Sequence, residues 1–152
     1  MDLNTTIYSF TDLAGSIAHP NFGIFEFGGE GLGIGSIAIA KQADDSNVDI
    51  SADGAPMISK IAGRVHNITL VCQQTSTVDK FLLKLYDYLK EIAPADQWAS
   101  SVALLRGLAD GVTHEIIGLT FQKKADRSYQ AQGQNITWNL IASHVISEPL
   151  SS

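Results

Sequence analysis

Apolar and polar positions alternate along most of this chain, which is the pattern of half-buried β-strands. The clearest alternation runs from Arg64 to Gln73. One side of this segment carries His66, Ile68, Leu70 and Cys72, and the other carries Val65, Asn67, Thr69 and Val71. Further strand-like segments are Thr5–Phe10, Leu13–Ala18, Phe22–Phe27, Ile34–Ala40, Val48–Ser51, Trp98–Arg106, Val112–Gln122 and Asn135–Ile146. The pattern therefore predicts a mainly β protein.

One segment, at about residues 77–92, has helical periodicity instead. Its apolar residues recur every three or four positions and form a single stripe of Val78, Phe81, Leu82, Leu85, Leu89 and Ile92. Ser76 or Thr77 can cap the start of this helix, and Asp79 places negative charge near its positive end. Pro94 ends it, because the residue before a proline avoids the α region. Beside the stripe, Leu83, Tyr86 and Tyr88 predict a second contact, for which a neighbouring subunit is one candidate.

These elements predict one domain over residues 1–152, a mostly antiparallel two-layer β-sandwich or barrel with one flanking helix. The polar turn at Gln42–Asn47 predicts a hairpin between the strands on either side of it. We expect a loop from Asp53 to Gly63 and a polar loop from Lys123 to Gly133. Residues 147–152 are expected to be a frayed tail. In the last strand, one face carries Ile136, Trp138, Leu140 and Ala142.

The composition points to a subunit of an assembly. Charged residues are 17% of the chain, below the roughly 25% of typical soluble domains. Faces that are buried between subunits cannot keep unpaired charges, so such faces lower the charged fraction. The net charge of −6 argues against a protein that grips nucleic acid, although it suits a surface that nucleic acid passes without sticking. No signal-peptide pattern and no long apolar run are present, and the single cysteine, Cys72, suits a reducing compartment.

No motif in the sequence predicts catalysis, a metal site or a bound cofactor. The glycine-rich segment Gly28–Gly35 lacks the spacing of a phosphate-binding loop. Cys72 and His66 share one strand face, but an extended strand separates them by about 20 Å, so Cys72 is expected to be a buried core thiol. The four histidines of the chain show no ligand spacing.

Two charged clusters lie in expected turns and are better explained as surface features than as binding sites. Asp44, Asp45 and Asp49 lack the glycine and closing glutamate of a calcium loop, so they predict a solvated turn with charge at a hairpin tip. Lys123, Lys124 and Arg127 are diluted by Asp126 and indicate a loop, or one half of a salt bridge between subunits, rather than a nucleic-acid patch.

Two segments of the chain resemble the tail tube proteins of contractile-tailed bacteriophages. The first is the opening I-Y-S-F-T-D-L, and the second is I-S-A-D-G-A-P-M-I-S-K-I-A-G-R-V-H-N-I-T-L-V. The matched positions are Tyr8, Ser9, Phe10, Asp12, Ala52, Asp53, Gly54, Met57, Ser59 and Gly63. The pair Ala55-Pro56 departs from the family, which more often has small or polar residues there. Over the last third of the chain only the order of elements agrees.

The resemblance implies a two-sheet β-sandwich with a flanking helix, six copies per ring, and stacked rings inside a contractile sheath. It implies a lumen that conducts DNA without binding it specifically. Partners would be further copies of the chain and the tail sheath, baseplate and tail terminator proteins, in the virion tail after assembly in the host cytoplasm. No enzyme activity and no cofactor are implied. Candidate contacts between subunits or rings are Asp44, Asp45, Asp53, Gly54, Met57, Ser59, Lys123 and Arg127.

Two other functions stay open at the level of sequence. A tailocin or a type VI-like secretion machine uses a tube of the same fold, and only genomic neighbours would separate it from a phage tail. A small-ligand-binding β-barrel or an enzyme would need convergent polar groups in a pocket, and no such set can be assembled from this sequence.

Overall fold

The computed structural model describes residues 8–9, 12–28, 33–107 and 110–149. The strands are β1 (Leu13–His19), β2 (Gly23–Gly28), β3 (Ile34–Lys41), β4 (Ser46–Ile50), β5 (Pro56–Lys60), β6 (His66–Gln73), β7 (Ser101–Gly107), β8 (Val112–Lys123), β9 (Asn135–Ala142) and β10 (His144–Pro149). Helix α1 (Thr77–Asp87) continues into a π-helical turn (Tyr88–Ile92), and a 3-10 turn follows (Ala95–Gln97). The mainly β prediction with one helix is confirmed.

All strand pairs are antiparallel, and eight of the ten strands build two sheets that share β8. The other two strands, β4 and β5, pair only with each other. The five-stranded sheet has the order β2-β1-β7-β8-β10, and the four-stranded sheet has the order β8-β9-β6-β3. Residues 112–119 of β8 pair within the five-stranded sheet, and residues 120–123 pair with β9 in the four-stranded sheet. The described strands therefore form a sandwich with one shared strand and do not close into a barrel.

The corner between the two sheets is set by Gly118 and Ser143. Gly118 has a positive φ of 68°, and the β7–β8 register skips it, since Ser101 pairs with Leu119 and Val102 with Ile117. The amide of Ser143 donates to the Gly118 carbonyl at 3.3 Å. The chain crosses from one sheet to the other in β8, and it crosses a second time at Ser143. Before Ser143, β9 pairs in the four-stranded sheet; after it, β10 pairs in the five-stranded sheet. The single last strand predicted at Asn135–Ile146 is therefore wrong, because the chain changes sheets at Ser143.

Replacing Gly118 by alanine should reduce the unfolding free energy by about 1–3 kcal/mol, the usual cost of a non-glycine residue in the left-handed region. An added Cβ would also stand 2.8 Å from the Ser143 Cβ. Gly111→Ala is the matched control, because Gly111 has a similar φ of 71° and nothing within 4 Å of its Cβ position. Urea titration should show a larger loss for Gly118→Ala. Equal losses would mean that contact with Ser143 contributes nothing.

The core lies between the sheets, and the predicted faces of two strands are confirmed. In β9 the side chains of Ile136, Trp138, Leu140 and Ala142 are buried, and in β6 those of Ile68, Leu70 and Cys72 are buried. Register places Trp138 beside Leu70 and Leu140 beside Ile68. Every second residue of these strands is buried, because one face of each strand lies in the core. The residues between them, which point outward, are mostly small or polar.

Helix α1 closes the core as its apolar stripe predicts. The Ser76 hydroxyl accepts from the Asp79 amide at 3.2 Å and caps the first turn. Of the predicted stripe, Val78, Leu82, Leu85 and Leu89 are buried. The prediction that Ile92 belongs to the buried stripe is wrong, since 75% of its surface is exposed. The cause is the π-helical turn, in which the Ala93 amide donates to the Tyr88 carbonyl five residues back and rotates Ile92 off the stripe.

Aromatic residues on the stripe and beside it pack against other parts of the same chain. Phe81 stacks on Phe25 of β2 with ring centroids 5.1 Å apart, and Tyr88 lies 5.2 Å from Phe22. On the other flank, Tyr86 packs edge-on against Phe121 at 5.5 Å. The β1–β2 hairpin and β8 thus hold the helix from two sides. The surface predicted at Leu83, Tyr86 and Tyr88 is used for intramolecular packing.

Several expected boundaries are wrong. β3 pairs with β6, and β4 pairs with β5, so Ile34–Ala40 and Val48–Ser51 do not form the predicted hairpin. The predicted Asp53–Gly63 loop contains β5, because the chain turns back at once after β4 and Pro56 is tolerated as the first residue of its strand.

The two ends of the chain and the glycine-rich segment are only partly described. β10 extends to Pro149, so residues 147–149 are not frayed. Residues 150–152 lie outside the described residues, as do residues 29–32 of the glycine-rich segment. The predicted strand Thr5–Phe10 also lies outside, except for Tyr8 and Ser9, which are in no strand. Within the described ranges, no helix has the length and apolar character needed to cross a membrane.

Candidate assembly site

A two-stranded arm, residues 42–65, projects from the four-stranded sheet. It continues the β3–β6 ladder, because the Gln42 amide donates to the Val65 carbonyl at 3.0 Å and the Ile61 amide to the Asp45 carbonyl at 2.8 Å. β4 and β5 form its outer half. Every residue from 42 to 65 is exposed. An isolated two-stranded ribbon is at best marginally stable in water, so this arm indicates a surface that binds another molecule.

The register of the arm gives it one apolar face. Val48 pairs with Ile58 and Ile50 with Pro56, so these four side chains share one side, here called the apolar face. The exposed fractions of Val48, Ile50 and Ile58 are 53%, 66% and 68%. Apolar side chains grouped on one exposed face mark an interaction site more often than isolated ones do.

The opposite face of the arm is mostly polar. Asn47 pairs with Ser59 and Asp49 with Met57. Of the predicted contact residues, Met57 and Ser59 are therefore brought together on this face, and both are exposed.

The A-D-G motif forms the turn at the tip of the arm. The Ser51 amide donates to the Ala55 carbonyl at 3.0 Å, which leaves Ala52, Asp53 and Gly54 as the turn. Gly54 has a φ of 89°, and the Ala55 amide donates to the Asp53 carboxylate at 3.1 Å. The Ser51 hydroxyl, and then the Ala55 amide, lower the pKa of Asp53 below its ordinary value. The tip therefore carries a fixed negative charge.

Asp44 and Asp45 lie at the base of the arm. The prediction that they occupy a hairpin tip is wrong, because the tip is at residues 51–55. Asp45 forms an ion pair with Lys41 at the end of β3. These two acidic residues therefore stand where the arm leaves the sheet.

The two predicted basic contact residues have different surroundings. Lys123 ends β8, is exposed, and lies 3.5 Å from the Asp126 carboxylate. Arg127 is largely buried and pairs with Asp79 in its own chain. Its charge is thus used inside the fold, away from the arm.

Asp79, Arg127 and Trp138 form a buried polar cluster that the sequence reading missed. One Asp79 oxygen accepts from the Trp138 indole N–H at 3.0 Å, and the other accepts from Arg127. The cluster joins the first turn of α1, the loop after β8 and the centre of β9. The sequence offers one sign of this cluster, because Asp79 is an acidic residue directly beside the buried stripe residue Val78. Its partners Arg127 and Trp138 could not be identified in this way, since they are 48 and 59 residues away in sequence.

Cys72 and His66 lie at opposite ends of β6, as expected. Cys72 is fully buried, and desolvation by burial raises the pKa of its thiol. His66 contacts the Arg64 carbonyl at 2.9 Å. Among the described residues, no three His, Cys, Asp or Glu side chains come close enough to hold a metal ion.

An open cleft of about 420 Å³ lies beside Trp98 and is lined by Leu89, Lys90, Ala93 and Ala95. Lys90 is the one charged group of this lining, and it stands over the Trp98 ring at 5.7 Å. Convergent polar groups, which fix a small ligand, do not occur among these lining residues. This cleft gives no support to a ligand-binding function.

The comparisons with known proteins agree with the sequence resemblance. Residues 5–148 match the family model described as bacteriophage PhiTE tail tube protein. Among solved structures, a chain of the sheath/tube terminator of the PVC extracellular contractile injection system has a TM-score of 0.63 and 13% identity, covering 97% of this chain and 99% of that chain. A chain of the PVC sheath-tube complex has a TM-score of 0.59 and 14% identity, covering 95% and 93%. A chain of the anti-feeding prophage cap, described as a tube-terminating cap, has a TM-score of 0.60 and 8% identity, covering 95% and 93%. No curated protein matches at a significant level.

Proposed function

The chain belongs to the bacteriophage PhiTE tail tube protein family, and from this premise we propose that it is a structural subunit of a contractile phage tail tube. Copies assemble as stacked hexameric rings around a lumen that conducts DNA during infection. The role is structural and involves no catalysis or cofactor. The observation that carries the proposal is the arm, because an exposed ribbon with one apolar face is stable only when another surface covers it.

The outer face of the four-stranded sheet supports its placement at the lumen. Register aligns Ser36 with Val71 and Thr137, then Ala38 with Thr69 and Asn139, then Ala40 with Asn67 and Ile141. These outward positions of β3, β6 and β9 are all uncharged and mostly small. Lys123 of β8, which pairs with Asn139, is the one charged residue that the register adds to these rows. A face with so few cations releases few counterions from DNA phosphates and so gives DNA little to bind. The net charge of −6 acts in the same direction.

The edges of the sheets favour ring closure. β3 ends the four-stranded sheet and is eight residues long, with the sequence I-G-S-I-A-I-A-K. A long, apolar edge strand pairs readily with another chain unless it is covered. Closing sheets around a ring would cover this edge in every copy.

The proposed partners are further copies of the chain and the sheath, baseplate and terminator proteins of the tail. The location is the virion tail, after assembly in the host cytoplasm. Contacts between copies would use the arm residues Asp53, Gly54, Met57 and Ser59. The other proposed contacts are Asp44 and Asp45 at the base of the arm and Lys123 at the end of β8.

Ile58→Asp should abolish tube formation while leaving the subunit folded. A charge in the middle of the apolar face would have to be desolvated without a partner in any interface, whereas in the free subunit Ile58 is exposed. Electron microscopy of negatively stained wild-type protein should show stacked rings, and the variant should show monomers or single rings. Tyr129→Asp is the control, because Tyr129 is also exposed but lies in the loop after β8.

Three results would contradict this proposal or a part of it. Wild-type protein that stays monomeric at high concentration, with no tubes in virions, would exclude a tube subunit. Single rings that never stack would indicate a terminator instead. A chain encoded without neighbouring capsid and terminase genes would belong to an injection or secretion machine rather than to a phage.

A further inference from the structure

A second exposed apolar surface lies on the outer face of the five-stranded sheet. Val102 and Leu104 of β7 point outward, and their exposed fractions are 41% and 46%. Register extends this surface across the sheet: Val102 has Ala18 and Ile117 beside it, and Ala18 is followed by the exposed Ile24 of β2. In the next row, Leu104 is followed by Glu115, and Glu115 by Ile146 of β10. The surface defined by Ile24, Val102, Leu104, Ile117 and Ile146 is here called the outer patch.

The arm and the outer patch belong to different sheets of the sandwich. The arm continues β3 and β6 of the four-stranded sheet, whereas the outer patch lies on the side of the five-stranded sheet that faces away from the core. Within the described residues, β4 and β5 make extensive contacts only with each other. Each copy therefore presents two separate apolar surfaces.

We propose that the apolar face of the arm of one copy docks on the outer patch of a second copy. This inference rests on the proposed function, since it requires self-assembly, and it names the surface that receives the arm. A two-stranded ribbon with Val48, Ile50 and Ile58 on one side can lie on a sheet as a third layer, about 10 Å above it. The contact is heterologous, so it leaves a free arm at one end and a free patch at the other, and it propagates.

Charge placement supports this pairing of surfaces. Lys60 lies on the same side of the arm as the apolar face, because it pairs with Ser46, two residues before Val48. On the outer patch, Glu115 lies directly beside Leu104, and Glu26 lies in the same row beyond Ser16. None of these three charged residues has an ion-pair partner within the part of the chain that the structure describes. Arg106 also lies on this face of β7, two residues after Leu104, but the two acidic residues outnumber it. The rim of the outer patch therefore has a net charge opposite to that of Lys60.

Cross-linking tests which surface receives the arm. The double variant Ile58→Cys/Leu104→Cys, assembled and treated with a short bis-maleimide, should give a ladder of dimers, trimers and larger species on a denaturing gel. Each single variant should run as a monomer on the denaturing gel, because its cysteine faces no cysteine of the next copy. The native Cys72 should not react, since it is fully buried and its raised pKa keeps it as the thiol. Ile58→Cys/Tyr129→Cys is the matched control and should give no ladder.

Mixing two charge variants gives an independent test. Ile58→Asp keeps an intact outer patch, and Leu104→Asp keeps an intact arm, so each alone should lose the arm-dependent contact. Their mixture restores one contact per pair, and should give heterodimers at least tenfold more abundant than homodimers of either variant. Circular dichroism should show that both variants are folded, because both sites are exposed.

The possible outcomes separate the inference from the proposed function. Tubes that form without a 58–104 cross-link would overturn the docking surface and leave the tube function intact. Dimers of Ile58→Cys alone would show that arms pair with arms. Wild-type protein that never assembles would overturn both. A cross-linked ladder together with rescue on mixing would establish the docking surface.

Discussion

Replacing Arg127 by alanine is expected to lower the free energy of unfolding by about 3–5 kcal/mol, the cost of removing one partner of a buried ion pair. Asp79 is the residue left behind, with 1% of its side chain exposed. Its carboxylate would still accept a hydrogen bond from the Trp138 indole N–H and would still lie at the positive end of α1, but it would have no cation as a partner. The charge would then be desolvated with incomplete compensation.

The Arg127 experiment has a built-in comparison in Asp79→Asn. The amide removes the charge and still offers an oxygen to the Trp138 indole, while Arg127 is partly exposed and can turn toward water. We expect this variant to lose about 1–3 kcal/mol, the range for a disturbed buried hydrogen bond. Urea titration followed by tryptophan fluorescence would measure both. If Arg127→Ala lost less unfolding free energy than Asp79→Asn, Arg127 would not be stabilising the buried carboxylate.

Leu85→Ala is expected to cost about 2–5 kcal/mol, the range for truncating a buried leucine in a packed core. Leu85 is on the buried stripe of α1 and lines a small internal space with Leu82, Phe121 and Leu140. Removing its side chain enlarges a void that the two sheets cannot fill, because they are held at a fixed spacing by the shared strand β8.

Ile92→Ala is the matched control for Leu85→Ala. Both residues belong to the same stripe in the sequence, but the π-helical turn leaves Ile92 exposed. We expect the control to change stability by less than about 0.5 kcal/mol, as is usual for surface positions. Denaturant unfolding would measure both variants. Equal losses at the two positions would mean that the stripe continues straight through Ile92.

Local periodicity was enough to predict the elements of the core. The alternation of β6 and β9 identified the buried residues because each strand has one face in the core and one outside it. The Ser76 cap and the stop at Pro94 were equally readable, since both act within one turn of the helix. The A-D-G motif and the family resemblance also came from contiguous residues.

The missed features depend on residues that are far apart in sequence. The strand exchange at Ser143 exists because Gly118 of another strand lets the two sheets meet there. The Asp79–Arg127 pair spans 48 residues. Most of the arm was predicted to be a loop because its two strands are entirely exposed. A strand is predicted from the alternation of buried apolar and exposed polar residues, and a fully exposed strand lacks that alternation. Its apolar face becomes evident only once the register of β4 and β5 is known.

The corner at Gly118 and Ser143 has a mechanical consequence. Two backbone segments, β8 and the β9–β10 junction, pass through it from one sheet to the other. A pulling force on the four-stranded sheet therefore reaches the five-stranded sheet through covalent bonds, without depending on side-chain adhesion between the layers. Strands on either side of the corner then share the load through their hydrogen-bonded ladders. A protein built in this way resists separation of its two sheets when a force acts on only one of them.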